Sequence, residues 1–323
     1  MQQRILHSKR STISTHSYRG RFAPSPSGFL HFGSLISALA SFLDAKSTIN
    51  SQGHQGTWLV RIEDIDPPRE QAGASSAILS TLEAFGLHWD EQVLYQSQQS
   101  ELYKHTLHNL QQQNLSYYCQ CTRSDIKALG GVYQGHCRSL NAPAQNSAIR
   151  LSNLHGLHQF DDIFQGEVSC DKNFAAEDFI IHRKDGLFAY QLVVVLDDIN
   201  QNINHIVRGA DLLEPTVRQI ALFNQFNKQV PSFAHVPLAV AAPGFKLSKQ
   251  NYAPSIDIEK PQLALFDALR FLGQNPPIEL LNLNVAELIN WAISHWNIAS
   301  VPKVNEIQLI KDENIPHCQF LSL

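Results

Sequence analysis

Short apolar strands alternate with helical segments from residue 21 to residue 86, and no other feature of the sequence restricts the fold as much. Residues 21–23 predict a strand that ends in a Pro-Ser-Pro-Ser-Gly turn, and apolar residues at helical spacing over 35–43 predict a helix. A second apolar strand follows at 58–62, and a second helix is predicted through 78–85. Strand, turn, helix, strand and helix in this order are typical of a doubly wound α/β domain.

The rest of the chain continues this mixed pattern without an internal repeat. Residues 117–140 lose the apolar periodicity and are dominated by Cys, Gly and Tyr, which indicates an insertion with a stabilising device of its own. The remaining predicted elements are a hairpin with strands at 179–182 and 187–196, a strand at 205–207, a helix after Pro215, a strand at 233–240, and helices at 264–272 and 285–296.

Composition excludes several broad classes of protein. The chain has 323 residues, of which 43% are hydrophobic, enough for a packed core and for about two domains at ~150 residues each. The longest apolar runs, such as 192–196, are far shorter than the ~18 residues that cross a bilayer, so we expect no membrane partner. The formal net charge is −4, so RNA binding would depend on a local basic patch.

Residues 1–19 are basic and rich in Ser and Thr, and the chain contains no acidic residue before Asp44. Such a composition also occurs in organelle transit peptides, but no amphipathic periodicity runs through the segment. We therefore interpret residues 1–19 as a disordered extension. The segment lacks the apolar core of a secretory signal, and we expect a cytoplasmic protein.

Two separated segments suit the binding of a polyphosphate. The turn after the first strand leads through His31 and Gly33 into a helix, whose unpaired N-terminal amides attract anions while the imidazole donates a hydrogen bond. Far downstream, a Gly-containing loop carries Lys246 and Lys249, which suit a clamp on a leaving pyrophosphate. A Pro/Ser/Gly turn before a helix is usually structural, and a Lys-rich loop is usually solvated surface. Only the combination of the two indicates nucleotide binding.

The pair resembles the two signature motifs of class I aminoacyl-tRNA synthetases, His-Ile-Gly-His and Lys-Met-Ser-Lys-Ser. Here they read His31-Phe32-Gly33-Ser34 and Lys246-Leu247-Ser248-Lys249-Gln250, with Ser34, Leu247 and Gln250 as departures. The stretches RFAPSPSG, VRIEDIDPPRE, YCQCTR and VRGADLLEPT resemble the glutamyl branch of that class, and the likeness runs from about Gly20 to Tyr252.

The resemblance implies a fold, a domain organisation and an activity. It implies a Rossmann-like catalytic domain at 20–116 and 175–240, a zinc-containing, acceptor-binding insertion at 117–174, and a final part at 241–323 with the Lys-Leu-Ser-Lys loop and helices. The implied enzyme is a ligase that activates L-glutamate with ATP and Mg²⁺ and transfers it to RNA. The implied catalytic residues are His31, Lys246 and Lys249, and the implied ATP-binding residues are Pro24, Ser25, His31, Gly33, Ser34 and Lys249.

A glutamate pocket needs an acid for the ammonium group and guanidinium groups for the carboxylates. Arg21, Glu63, Tyr190 and Arg208 lie at or near predicted strand ends, where open α/β sheets bind ligands, although each alone could form a surface ion pair. We expect Glu63 to pair with the ammonium group, and Arg21 and Arg208 to share the carboxylates. The resemblance implies the full set Arg21, Phe22, Ala23, Pro24, Ser25, Glu63, Tyr190 and Arg208.

Three of the five cysteines, Cys119, Cys121 and Cys137, lie close together in the insertion. Thiolates are soft ligands, and an odd cysteine count in a chain of this length favours one structural Zn²⁺ over disulfides, the alternative being three buried thiols. Chemistry suggests His136 as the fourth ligand, whereas the resemblance implies Tyr133. The other two cysteines, Cys170 and Cys318, are interpreted as plain thiols.

The acceptor is predicted from the length of the last segment. Only residues 250–323 follow Lys249, fewer than an anticodon-binding domain of ~100–150 residues needs. This resembles the family within the glutamyl branch that lacks such a domain and esterifies queuosine at the wobble position of tRNA(Asp), so we expect that tRNA as partner of a monomeric enzyme. The alternatives are a truncated glutamyl-tRNA synthetase that charges a tRNA 3′ end, and a non-catalytic RNA-binding paralogue.

Overall fold

The computed structural model describes residues 17–242, 244–246 and 256–309, with Phe245 and Lys246 described by their backbone alone. The strands are β1 Arg19–Phe22, β2 Thr57–Ile62, β3 Leu94–Tyr95, β4 Ser116–Cys119, β5 Ala148–Leu151, β6 Gln159–Asp162, β7 Gly166–Ser169, β8 Ile180–His182, β9 His205–Gly209, β10 Ser232–Val236, β11 Leu238–Ala242, β12 Phe245–Lys246 and β13 Glu306–Gln308. The α-helices are α1 Phe32–Ser47, α2 Ala74–Ala84, α3 Ser100–Gln112, α4 Arg123–Ala128, α5 Lys172–Ala176, α6 Tyr190–Asn200, α7 Thr216–Gln225, α8 Pro261–Phe271 and α9 Val285–His295.

Two groups of parallel strands meet at β1 and β9. Strands β1, β2 and β3 pair in parallel, as do β9 and β10. Strand β9 lies against β1, where the amide of Asn204 donates to the carbonyl of Arg19 at 3.0 Å. The order is thus β3-β2-β1-β9-β10, and the chain changes direction of winding between β1 and β9. In sheets of this kind a ligand crevice opens at that point, beyond the carboxyl ends of the strands.

Helix α1 anchors the crevice. Most of its side chains are buried, because it packs between β1 and β9 on one side and α8 and α9 on the other. Its apolar residues belong to the largest core cluster of the described chain, together with Trp58 of β2 and Leu269 of α8. A helix that is buried on most sides is apolar around most of its circumference, as this one is.

The structure confirms the predicted strands at 21–23, 58–62 and 205–207 and corrects two of the other elements. The predicted hairpin is confirmed at its turn, where Phe188 forms an antiparallel bridge with His182, but its second strand is wrong from Tyr190 onward, since Tyr190–Asn200 form helix α6. A short apolar run cannot distinguish a buried strand from a buried helix, and Leu192–Asp198 are all buried.

The predicted single strand at 233–240 is two strands. Residue Pro237 separates β10 from β11, because proline donates no ladder hydrogen bond. Strand β10 pairs with β9 and β6, whereas β11 pairs with β12 and β13.

The predicted insertion shares a sheet with the parallel strands. Strands β4, β5 and β8 form a separate antiparallel sheet, but the β6–β7 hairpin joins β10 through β6. The mixed α/β class predicted from sequence is thus the observed one. Within the described ranges, no helix combines the length and the apolar character needed to traverse a lipid bilayer. The predicted disordered extension falls mostly outside the described residues.

Candidate active site

A cavity of about 500 Å³ opens at the carboxyl ends of β1, β2 and β9. It is lined by the end of β1 and the turn that follows, by the first residues of α1 and α6, and by the first residues of β11. All predicted glutamate-binding residues lie on this cavity, as do the described residues of the first predicted ATP-binding motif: Arg21, Phe22, Ala23, Pro24, Ser25, Glu63, Tyr190 and Arg208, with His31, Gly33 and Ser34.

The N-terminus of α1 faces the cavity through Gly33 and Ser34. His31 is the N-cap of the helix, and its Nδ1 accepts from the amide of Ser34 at 3.3 Å while Nε2 lies 3.1 Å from the Ser34 hydroxyl. Ser34 therefore supports the imidazole of His31 at the position where the signature motif has a second histidine. The first turn of α1 contains no acidic side chain, so its positive end is not neutralised locally.

A buried charge network supports Arg21. Its Nε and Nη2 donate to the two carboxylate oxygens of Asp198 at 2.9 and 3.1 Å. Arg61 donates to the same carboxylate at 2.8 Å and to Gln201 at 2.8 Å. Burial alone would raise the pKa of Asp198, but Arg21 and Arg61 hold it below its usual value. Asp198 is thus an anion that fixes two guanidinium groups behind the cavity.

Glu63 brings an ionisable carboxyl to the wall of the cavity. Burial raises its pKa to about 7, against the opposing effect of Arg61 and Arg21. Its nearest cation is Arg61, whose Nε lies 3.7 Å from Oε1, and Oε1 has no hydrogen-bond partner among the described residues. A buried carboxylate oxygen without a donor is suited to a ligand cation, because leaving it unpaired is costly.

Arg208 provides a second buried polar group with an unpaired atom, in this case a hydrogen-bond donor. Its Nε donates to His235 at 3.0 Å and its Nη2 donates to Thr216 at 2.7 Å, while Nη1 has no partner in the part of the chain that the structure describes. Burial lowers the pKa of Arg208, yet a guanidinium stays protonated in proteins. A buried guanidinium with one unpaired donor is suited to an anionic ligand group.

Tyr190 is the first residue of α6 and lies half-buried on the cavity wall. Burial raises the pKa of its phenol, so the group stays protonated and able to donate near pH 7. The sequence analysis placed Tyr190 in a hairpin, which is wrong, but its position at the start of the helix brings it to the same cavity.

Of the predicted Lys-Leu-Ser-Lys motif, only the first residue, Lys246, lies within the described residues. The backbone of Lys246 pairs with Val240 of β11, the strand whose first residues line the cavity. Residues Leu247, Ser248, Lys249 and Gln250 lie outside the described residues, so the position of Lys249 relative to His31 stays a prediction.

The three cysteines of the insertion form one cluster. The ligand atoms of Cys119, Cys121 and Cys137 all lie within 4.8 Å of one another, and the Sγ atoms of Cys121 and Cys137 are 3.4 Å apart. Tyr133 is buried against this cluster, and its hydroxyl accepts from the amide of Cys137 at 2.8 Å. His136, by contrast, is exposed and does not belong to the cluster.

The donor set of the cluster fits a soft divalent cation. Three sulfur atoms at this separation match a tetrahedral thiolate site with one position for a further ligand. Burial and the neighbouring thiols raise the pKa of Cys121 to about 12, so three thiolates would be unstable together without a cation between them. Cys170 lies elsewhere, near the carbonyl of Glu214, and Cys318 lies outside the described residues.

Sequence reasoning missed the residues that hold the predicted ones in place. Arg61 interrupts an apolar strand, and Asp197 and Asp198 end an apolar run; a charge in such a setting signals a buried ion pair. No local pattern identifies its partner, however. His235 carries no sequence signal beyond a single polar residue in a strand.

A family comparison defines the class of protein. The family model of the class I tRNA synthetases (E and Q), catalytic domain, matches residues 17–306, and this chain belongs to that family. The chain is 62% identical over 311 residues to the glutamyl-Q tRNA(Asp) synthetase of Colwellia psychrerythraea, covering 94% of this chain and 99% of that protein. The protein of the same name from Serratia proteamaculans is 55% identical over 302 residues, with 94% and 97% covered.

Solved structures show the same fold at low identity. A glutamate tRNA ligase from Elizabethkingia meningosepticum, in complex with its amino acid, matches with a TM-score of 0.72 and 22% identity, over 91% of this chain and 67% of that one. Glutamate-tRNA synthetase from Elizabethkingia anophelis matches equally well, over 68% of its length. These likenesses establish the class I catalytic fold for this chain.

Proposed function

We propose that this chain activates L-glutamate with ATP as glutamyl-adenylate and transfers the glutamyl group to queuosine of tRNA(Asp). One observation carries the first step: a buried carboxylate oxygen and a buried guanidinium nitrogen, each without a partner among the described residues, belong to the same cavity. An amino acid with an extra carboxylate satisfies both groups. The family and the names of its similar proteins support the substrate and the acceptor.

The two unpaired atoms, Oε1 of Glu63 and Nη1 of Arg208, suggest how glutamate binds. Ionised Glu63 accepts from the ammonium group, and Nη1 of Arg208 donates to a carboxylate. Arg21 gives two of its three guanidinium nitrogens to Asp198, so the third is the one available to the other carboxylate. Tyr190 donates from its protonated phenol. Asp198 keeps Arg21 in position before the substrate arrives, which reduces the entropy lost on binding.

Activation needs positioning and charge stabilisation more than acid–base chemistry. The substrate carboxylate is already a nucleophile and attacks the α-phosphorus of ATP, with pyrophosphate as the leaving group. The amides at the start of α1 donate to phosphate oxygens, and the imidazole of His31, whose Nδ1 accepts from the Ser34 amide, donates from Nε2 in place of its contact with the Ser34 hydroxyl. Lys246 and Lys249 stabilise the charge on the leaving group. Mg²⁺ bound to ATP would supply further neutralisation of the phosphate charge.

The cysteine cluster would hold one structural Zn²⁺. Cys119, Cys121 and Cys137 supply sulfur, and the buried phenol of Tyr133 is better placed as the fourth ligand than the exposed imidazole of His136. Bound there, the metal would fix the shape of the insertion, to which we assign the contact with the acceptor RNA. Binding of tRNA(Asp) relies on local Lys and Arg residues, since the formal net charge of the chain is −4.

The decisive experiment compares acceptors. Labelled glutamate is incubated with ATP, the enzyme and tRNA(Asp) with or without queuosine, and glutamate-dependent ATP–pyrophosphate exchange is measured without tRNA. We expect exchange, and transfer only to queuosine-containing tRNA(Asp). Equal transfer to queuosine-free tRNA would show that a 3′ end is the acceptor, and absence of exchange would show a non-catalytic protein.

A further inference from the structure

A line of three buried polar side chains runs from the insertion to the cavity. Oδ2 of Asp162, at the end of β6, lies 2.6 Å from Nδ1 of His235 on β10, and Nε2 of His235 accepts from Nε of Arg208 on β9 at 3.0 Å. Their exposed fractions are 4%, 0% and 5%. His235 and Arg208 are direct partners in the parallel β9–β10 register, so the sheet itself brings them together.

The chemistry of Asp162 determines which imidazole nitrogen carries the proton. Oδ1 of Asp162 accepts from the amides of Phe164, Gln165 and His235, and the ionised carboxylate can only accept. Nδ1 of His235 must therefore donate to Oδ2, which leaves the lone pair on Nε2. Burial lowers the pKa of His235 to about 4, so the ring is neutral near pH 7. In this tautomer, Nε2 of the neutral His235 ring accepts the hydrogen bond from Nε of Arg208.

We propose that Asp162 and His235 are positioning residues that orient Arg208 for the carboxylate of the amino-acid substrate. This inference rests on the proposed activation of glutamate. The guanidinium is planar, so fixing two nitrogens fixes the third. His235 holds Nε, and Thr216 holds Nη2 while its own hydroxyl donates to the carbonyl of Leu212 at 2.7 Å. Only Nη1 then remains for the ligand.

The neutral imidazole of His235, which lies between Asp162 and Arg208, also preserves the positive charge of Arg208. Arg21 contacts the carboxylate of Asp198 directly, and that anion neutralises it. Arg208 donates its hydrogen bonds to an imidazole, a hydroxyl and a carbonyl, all uncharged, and the carboxylates of Asp198 and Asp211 act on it by electrostatic attraction. The cavity thereby contains one oriented guanidinium whose hydrogen-bond partners leave its positive charge for the substrate.

The test changes the tautomer without changing the shape of the network. In Asp162→Asn, the new amide donates to Nδ1, so the proton moves to Nε2 and opposes the N–H of Arg208. We expect the KM for glutamate in pyrophosphate exchange to rise about 10- to 100-fold, the range for one lost hydrogen bond to a charged group, with kcat and the KM for ATP within about twofold.

A second pair of variants tests the acceptor atom itself. His235→Leu removes it and is expected to raise the KM for glutamate as Asp162→Asn does. His235→Gln places an amide oxygen near the former Nε2 position and is expected to recover most of the affinity. Calorimetric titration of glutamate onto each purified variant provides a readout that does not depend on turnover.

The control separates orientation from loss of stability. Leu82 is fully buried on α2 and does not line the cavity, so Leu82→Ala lowers thermal stability without touching Arg208. Its KM for glutamate should equal that of the unmodified enzyme. If Asp162→Asn and His235→Leu keep the original KM, or if Leu82→Ala raises it equally, the positioning role is refuted. If the unmodified enzyme shows no exchange, the proposed function itself fails.

Discussion

Replacing Asp198 with Asn removes the carboxylate to which Arg21 and Arg61 both donate hydrogen bonds. The carboxylate accepts three hydrogen bonds from the two guanidinium groups, at 2.8 to 3.1 Å, and its side chain is 2% exposed. Asn keeps one acceptor oxygen and turns an amide N–H₂ towards donors. Arg21 then loses its hydrogen-bonded counter-charge, and Arg61 loses its closest one and keeps Glu63 and Asp197 at 3.7 and 3.9 Å. We expect the free energy of unfolding to fall by about 3–5 kcal/mol.

The structure supplies a matched control at the surface. Glu91 accepts two hydrogen bonds from Arg19, at 2.6 and 2.7 Å, and this pair is also bidentate, through Nη1 and Nη2 where Arg21 uses Nε and Nη2, but the Glu91 side chain is 54% exposed. Water screens such a pair, so Glu91→Gln should cost no more than about 1 kcal/mol. Both carboxylates form a bidentate pair with an arginine, and the two sites differ chiefly in burial.

Urea unfolding at pH 7 and at acid pH measures both effects. The pKa of Asp198 is lowered on folding, so its contribution to stability is present above the unfolded pKa of about 4 and disappears as pH falls through the folded pKa. The difference between the native chain and Asp198→Asn should therefore shrink below about pH 4. A loss at pH 7 that is no larger than the loss for Glu91→Gln would refute the assignment of Asp198 as a buried electrostatic support.

Two further predictions concern ionisation and metal content. Folding raises the pKa of Glu63 from 4.5 to about 7, so this group makes the protein less stable as pH rises through that interval, by about 3 kcal/mol in total. Glu63→Gln should remove that loss in urea unfolding at pH 5 and 8, and an unchanged pH dependence would contradict the assignment. The purified chain and Cys170→Ser should contain one zinc per molecule by elemental analysis, whereas Cys121→Ser should contain little. Equal zinc in both variants would eliminate the cluster as the site.

Sequence reasoning located the cavity residues because they follow predicted strands. Arg21, Glu63 and Arg208 lie at or just beyond the carboxyl ends of β1, β2 and β9, and parallel strands bring those ends to one edge of the sheet. Tyr190 also lines this cavity, but because it is the first residue of helix α6 and not because it lies in the expected hairpin. The apolar run after it fits both element types.

The sequence by itself determined the alternation of strands and helices, the capped start of α1, and the spacing of the cysteines, because each depends on residues that are near neighbours along the chain. The tertiary structure alone decided which buried charges meet. Arg21 and Asp198 are 177 positions apart, and Asp162 and His235 are 73 apart. A buried charge needs a partner at hydrogen-bond distance, and sheet order and packing, which no local pattern encodes, select that partner.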